Sequence, residues 1–155
     1  STPLYSSAAS DVYKRQEAGG TFLSDEVQYA DATADRATTA MEAIMQTHPE
    51  GIAIICANND DMAMAAARAA QGHDAYKNTI FLGFNGDRAA CEAILDGQMT
   101  MSVAQMAYEM GYKAVETMVQ VLDGETVDEF VDSGSDVVTP DNAQERLDTL
   151  KTQLH

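Results

Sequence analysis

The stretch IAIICANNDDMAMAAARAA, at residues 52–70, joins an apolar run to an alanine-rich segment. The run at its start is rich in β-branched residues, which is typical of a parallel strand covered on both faces. The segment that follows predicts a helix without bulky side chains, which can lie close against a sheet. Four polar residues occupy the joint between them: Asn58, Asn59, Asp60 and Asp61. The stretch therefore predicts one strand–helix unit with a strongly polar connection.

The same alternation of strand and helix continues on both sides of this unit. We expect helices over residues 35–47, 61–71, 87–95 and 106–122, and a last helix that ends near residue 154. We expect strands over residues 52–56, 80–82 and 99–103, a further strand within 21–29, and short extended pieces within 128–142. This order predicts an α/β domain with a parallel sheet.

The composition argues against several classes of partner. Among 155 residues, 25 are acidic and 9 are basic, which gives a formal net charge of −16. Phosphate backbones and anionic lipids attract basic surfaces, so we expect neither nucleic-acid binding nor direct membrane insertion. No apolar run approaches the ~18 residues that a membrane span needs. The two cysteines and three histidines have no metal-site spacing, so we expect no metal and no cofactor.

Neutral amides follow three of the predicted strands. In an open parallel sheet, ligands bind beyond the carboxyl ends of the strands. Asn59, Asn85 and Gln105 stand at three successive strand ends, and each amide both donates and accepts hydrogen bonds. Such groups suit a neutral, polyhydroxylated ligand. Phe84, which precedes Asn85, is either part of the core or a face on which a sugar could stack.

Purely structural interpretations of this region remain open. Asp60 or Asp61 is expected to cap the helix that follows, and Asp87 the next helix. Asn59 could equally satisfy local backbone groups. The sequence has no phosphate-binding glycine loop and no nucleophile beside a plausible base, so no catalytic residue is assigned and an enzyme is not expected.

Four motifs in series resemble a known family. They are residues 53–70, residues 80–105, the sequence MGYKAVETMVQVLDGETV at 110–127 and VVTPDN at 137–142. Together they resemble the carboxyl-terminal half of the periplasmic sugar-binding proteins of bacterial ABC importers, of the ribose- and galactose-binding type. The resemblance covers roughly residues 20 to 145. It implies a solute-binding protein that traps a monosaccharide between two lobes and delivers it to a membrane permease, in the periplasm or on an extracellular lipid anchor.

The resemblance also implies roles for individual positions. Asn59 matches the family asparagine that bonds sugar hydroxyls, and Asp60 the acid that follows it. Asn85 stands where the family usually has a sugar-binding aspartate, with Phe84 on the cleft wall before it. Gln105 matches a polar hinge residue that also touches the ligand. Ala32 or Ala34 stands where family members often place a stacking aromatic residue.

The resemblance covers only part of a family member. We therefore expect a partial doubly wound parallel-sheet lobe that is truncated at its amino-terminal side, from a fragment unable to bind well alone. Residues 1–17 are similar to translated adapter sequence and are set aside as a non-native or disordered leader. Residues 18–104 would form the incomplete carboxyl-terminal lobe, 105–135 would cross to the other lobe, and 136–155 would supply a return strand and a terminal helix.

Two other functions remain as alternatives. The effector-binding domains of lactose-repressor-type transcription regulators share this fold. They usually carry a proline-leucine-threonine-threonine stretch where this chain has LDGQMTMSVAQ, at residues 95–105. The other alternative is a small α/β enzyme, which the missing nucleophile–base pair disfavours.

Overall fold

Four strands form one open sheet in the computed structural model, which describes residues 19–21 and 23–153. The strands are β1 (Ile54–Cys56), β2 (Ile80–Asn85), β3 (Met101–Gln105) and β4 (Ser135–Val138). They lie side by side in chain order. The first three are parallel, and β4 runs antiparallel to β3. The predicted α/β fold with a mainly parallel sheet is confirmed, with one antiparallel edge strand added.

Five helices alternate with these strands. They are α1 (Ala34–Thr47), α2 (Asp60–Ala70), α3 (Arg88–Leu95), α4 (Ala107–Leu122) and α5 (Ala143–Gln153). Helix α2 connects β1 to β2, and α3 connects β2 to β3, as parallel neighbours require. Each of the four helices whose start was predicted from the sequence begins within one residue of that position, and the predicted last helix is also present. Among the described residues, none of the helices has both the length and the apolar character needed to cross a bilayer.

One face of the sheet is covered by helices. Phe81, Ala104 and Val138 point from this face into a single core cluster. The same cluster holds Met41 of α1, the alanines of α2, Ile94 of α3 and Leu147 of α5. The small alanines allow α2 to lie close to the sheet, as the sequence predicted.

The opposite face of the sheet is apolar and open among the described residues. We call it the uncovered face. Its exposed members lie in the same rows of neighbouring strands: Ile54, Cys56, Ile80, Phe84 and Val137. The described residues thus form a partial lobe of the predicted α/β fold, in which the helices of the core cluster lie on one face of the sheet. Cys91 is buried, whereas Cys56 is exposed on this face.

The prediction of a strand within residues 21–29 is wrong. In its place, Ser24–Glu26 forms a short 3-10 helix, which closes when Glu26 N–H donates to the Leu23 carbonyl at 3.1 Å. The short apolar alternation suggested a strand, but a strand also needs a neighbour to pair with. None of the four described strands pairs with this segment.

Helix α4 is present where the sequence predicts it, but it buries no residue. Two of its large apolar side chains, Met110 and Met118, are 44% and 59% exposed. Helix α4 therefore gains little from packing against the rest of the described chain.

His48 joins three local segments at the end of α1. Its Nε2 lies 2.5 Å from Glu26 Oε2 and its Nδ1 lies 3.2 Å from Glu50 Oε1. Its carbonyl accepts a hydrogen bond from the Tyr76 hydroxyl at 2.7 Å. The hydrogen bond with Glu26, followed by that with Glu50, raises the pKa of His48 above its ordinary value.

We expect this cluster to make stability depend on pH. Because the pKa of His48 is higher in the folded chain, its contribution is complete below about pH 6.5, the value for the unfolded chain, and is lost as pH rises through the folded pKa. Urea unfolding of wild type and His48→Asn across this range should show a stability difference that shrinks as pH rises. His73→Asn, at an exposed histidine, is the control. A difference that stays constant with pH would contradict the assignment.

Two adjacent residues of α3 test the position of the core. Ile94 is 1% exposed and Leu95 is 42% exposed. Ile94→Ala should lower the free energy of unfolding by about 2–5 kcal/mol, because it removes buried methylene groups and leaves a cavity. Leu95→Ala makes a similar truncation at the surface and should cost much less. Equal losses in denaturant unfolding would show that this face of α3 does not pack as described.

Candidate functional site

The three predicted amides lie at one edge of the sheet. Because β1, β2 and β3 are parallel, their carboxyl ends meet at the same edge. Asn85 and Gln105 are the last residues of β2 and β3, and Asn59 follows β1 by three positions. All three are partly buried. The structure thus brings together the three amides that the sequence singled out.

Asn85 and Gln105 contact each other directly. Gln105 Nε2 donates a hydrogen bond to Asn85 Oδ1 at 2.8 Å. This bond leaves the Asn85 NH₂ group as a donor and the Gln105 carbonyl oxygen as an acceptor for a ligand. Asn85 has φ of 134°, a conformation that residues with a side chain rarely adopt. The pair is therefore a preformed donor and acceptor at the end of two strands.

Asn59 has a structural role of its own. Its Oδ1 accepts a hydrogen bond from the Met62 backbone N–H at 2.8 Å, which makes Asn59 the N-cap of α2. The prediction that Asp60 or Asp61 caps this helix is therefore wrong. An asparagine that caps through its oxygen still has an NH₂ group to donate elsewhere. The capping bond fixes the side chain and so limits where that donor can point.

Asp60, expected to be a cap, is instead a fully buried carboxylate. Its Oδ2 accepts from the backbone N–H groups of Gly86 at 2.8 Å and Asp87 at 3.3 Å. Its Oδ1 accepts from the Ser102 hydroxyl at 2.6 Å. Burial raises the pKa of this carboxyl, while the bond from Ser102 and those from the backbone act to lower it. Asp60 thus ties the end of β1 to the turn after β2 and to β3.

Asp87 has the role that the sequence predicted. Its side chain accepts a hydrogen bond from the Ala90 backbone N–H at 2.8 Å and caps α3. Phe84 lies on the uncovered face, 39% exposed, in register with Val103 of β3. The structure therefore places Phe84 in the apolar rows of the sheet. A contact between Phe84 and a ligand stays a prediction.

Sequence analysis missed two residues at this edge, Ser102 and Arg146. Ser102 is fully buried, and it alternates with apolar neighbours in β3, so a buried polar residue in a strand was the available signal. Arg146 of α5 donates from Nη2 to the Gln105 carbonyl at 2.9 Å and from Nε to the Gly86 carbonyl at 3.3 Å. No local pattern marks an arginine that reaches residues 41 and 60 positions away.

The sequence of this chain matches the model of a known protein family. The model described as periplasmic binding protein domain matches residues 4–126. This chain belongs to that family. The match includes most of the segment 1–17 that was set aside, which lies outside the described residues. The division of the chain into leader, lobe and crossing segments stays a prediction.

The relatives share both sequence and fold. The ribose import binding protein of Escherichia coli is 35% identical over 101 residues, which are 64% of this chain and 33% of that protein. An ABC transporter solute-binding protein from Mycobacterium smegmatis, solved with bound glycerol, is 33% identical with a TM-score of 0.64 and matches 76% of this chain and 41% of its own. One from Bacillus halodurans, solved with bound myo-inositol, is 29% identical with a TM-score of 0.63 and matches 75% and 40%.

The chain spans about a third of the length of the curated relatives that it matches. The family and these relatives are binding proteins. The match therefore covers only part of these longer relatives, and what the whole of such a protein does is considered for this chain only as a proposal.

The capping role of Asn59 can be tested apart from any ligand. Asn59→Ala removes the acceptor for the Met62 N–H and should lower the free energy of unfolding by about 1 kcal/mol. Asn59→Asp keeps a capping oxygen at the helix N-terminus, so its free energy of unfolding should differ from that of wild type by only a few tenths of a kcal/mol. Urea unfolding of both variants provides the measurement. An Asn59→Asp chain as unstable as Asn59→Ala would refute the cap.

Proposed function

We propose that this chain is part of the solute-binding component of an ABC-type sugar importer and that it binds a neutral monosaccharide at the carboxyl edge of its sheet. Asn59, Asn85 and Gln105 would contact the sugar. The observation that carries the proposal is the hydrogen-bonded pair of Asn85 and Gln105, at the same edge of the sheet as Asn59, the N-cap of α2. Together they present fixed amide donors and an acceptor without a free charge.

The chemistry of this edge matches a sugar hydroxyl better than an anion. A hydroxyl donates one hydrogen bond and accepts others, so it can use the Asn85 NH₂ group and the Gln105 oxygen together. The acidic groups at the edge, Asp60 and Asp87, disfavour an anionic ligand by repulsion. Asp60 is buried and fully paired, so its oxygens are used by the protein itself.

The relatives support an importer over the other functions weighed from the sequence. Those named above are a ribose import binding protein and solute-binding proteins of ABC transporters. By analogy, the partner would be the membrane permease of an ABC transporter and the location the periplasm. The same analogy favours binding and release over catalysis. It also disfavours a transcription regulator.

The chain should bind sugar weakly on its own, because it spans about a third of such a protein and supplies one wall of a two-lobed cleft. Titration of the ¹⁵N-labelled chain with pentoses and hexoses at millimolar concentration should shift the side-chain amide signals of Asn59, Asn85 and Gln105. A submicromolar dissociation constant by calorimetry would contradict the view that only one wall is present.

Asn59→Asp separates sugar binding from helix capping. The substitution keeps the capping oxygen but replaces the NH₂ donor, so the sugar response should weaken about tenfold. Asn58→Asp adds the same charge at the exposed neighbour and serves as the matched control. If both variants respond to sugar as wild type does, Asn59 does not contact the ligand. If the wild-type shifts lie away from this edge, the proposed site is wrong.

A further inference from the structure

The turn after β2 is held by a buried charge. Asp60 is 0% exposed, and its three hydrogen bonds come from Gly86, Asp87 and Ser102. Ser102 Oγ also accepts from the Gly86 N–H at 3.0 Å, so this N–H is shared between two oxygens. A buried carboxylate is stable only when its oxygens are paired, and here the donors come from the turn and from β3. The position of the turn is therefore set by Asp60.

The two glycines of GFNG, residues 83–86, make room for this arrangement. A Cβ at Gly83 would lie 2.1 Å from Asp60 Oδ1, and a Cβ at Gly86 would lie 2.3 Å from the Cβ of Ala104. Gly86 also has φ of 65°, which glycine adopts without strain. Both glycines thus serve close packing around the carboxylate and the turn.

Arg146 contacts the same turn through a backbone carbonyl. The Gly86 N–H points to Asp60, and the Gly86 carbonyl accepts from Arg146. The Gln105 carbonyl accepts from the same guanidinium. Arg146 therefore bonds the backbone of Gln105, a member of the amide pair, and of Gly86, which follows the other member.

Asn85 lies between these fixed points. Its φ of 134° is a conformation that costs on the order of 1–3 kcal/mol unless its surroundings impose it. The surroundings that impose it are the paired Gly86 on one side and the Gln105 side chain on the other. Gly86, the neighbour of Asn85, is in turn held by Asp60 and Arg146, which are not among the residues proposed to contact the sugar.

We propose that Asp60 and Arg146 are positioning residues for the Asn85–Gln105 pair. Asp60 fixes the Gly86 N–H, and Arg146 fixes the carbonyls of Gly86 and Gln105. Together they hold the two strand ends at the spacing where Gln105 Nε2 reaches Asn85 Oδ1. The relevance of the pair to a sugar rests on the proposed function, whereas its geometry does not.

The test uses the ¹⁵N-labelled 155-residue chain without sugar. In Asp60→Asn, one oxygen is replaced by a donor while the shape is kept. We expect exchange of the Gly86 amide proton to accelerate about tenfold or more and the nuclear Overhauser contact between the Gln105 and Asn85 side chains to be lost. Arg146→Lys cannot span both carbonyls and should also weaken that contact.

Matched controls use the same residue types at exposed positions. Asp61→Asn changes the exposed neighbour of Asp60, and Arg68→Lys changes an exposed arginine of α2. Both should leave the amide contact unchanged. If Asp60→Asn does not fold, Ser102→Ala removes one of the same bonds more mildly and should accelerate Gly86 exchange in the same direction.

A merely structural role predicts a different result. Asp60→Asn would then lower the melting temperature but keep the contact between the Asn85 and Gln105 side chains, and that outcome overturns the proposal. An equal loss of the contact in Asp61→Asn also overturns it. A third outcome separates the two proposals. If the contact is present in wild type and lost in Asp60→Asn, but no sugar shifts the amide signals of the wild-type chain, the positioning role is supported and the proposed function is refuted.

Discussion

The buried carboxylate of Asp60 constrains the architecture around it more than any other group. A charged group without solvent must have its acceptors paired by protein donors, or folding becomes unfavourable by several kcal/mol. Those donors belong to Gly86, Asp87 and Ser102, which lie 26, 27 and 42 positions after Asp60 in the chain. The ends of the three parallel strands are therefore held in one relative arrangement. The positive end of the α2 dipole adds to the stabilisation of this charge.

This constraint explains a division of roles between two adjacent residues. Asn59 caps α2 with its side-chain oxygen and has an NH₂ group left to donate, whereas the Asp60 side chain is fully buried. A reversed order would place a charge at the edge and a neutral amide in the core. The presence of a neutral amide donor at position 59 thus depends on the carboxylate being the one of the two that is buried.

The sequence predicted what depends on local pattern. Apolar runs and helical spacing located the strands and helices, and the rule that ligands bind at strand ends selected Asn59, Asn85 and Gln105. The roles of Asp60, Ser102 and Arg146 depend on contacts between residues far apart in the chain, which no local pattern contains. The strand expected near Ser24–Glu26 failed for the same reason, since alternation does not provide a neighbouring strand. The antiparallel direction of β4 was likewise not encoded in its own short segment.

The uncovered face of the sheet has a consequence for how the chain behaves in solution. Among the described residues, apolar strand rows that include Ile54, Ile80 and Val137 are exposed and favour self-association, and β1 lies at the edge of the four-stranded sheet. The net charge of −16 opposes that association through mutual repulsion between chains. Dissolved salt screens repulsion over about 10 Å at 0.1 M and leaves hydrophobic attraction intact or stronger. The colloidal stability of this chain is therefore tied to ionic strength, and dilute buffer is the condition that keeps its molecules apart.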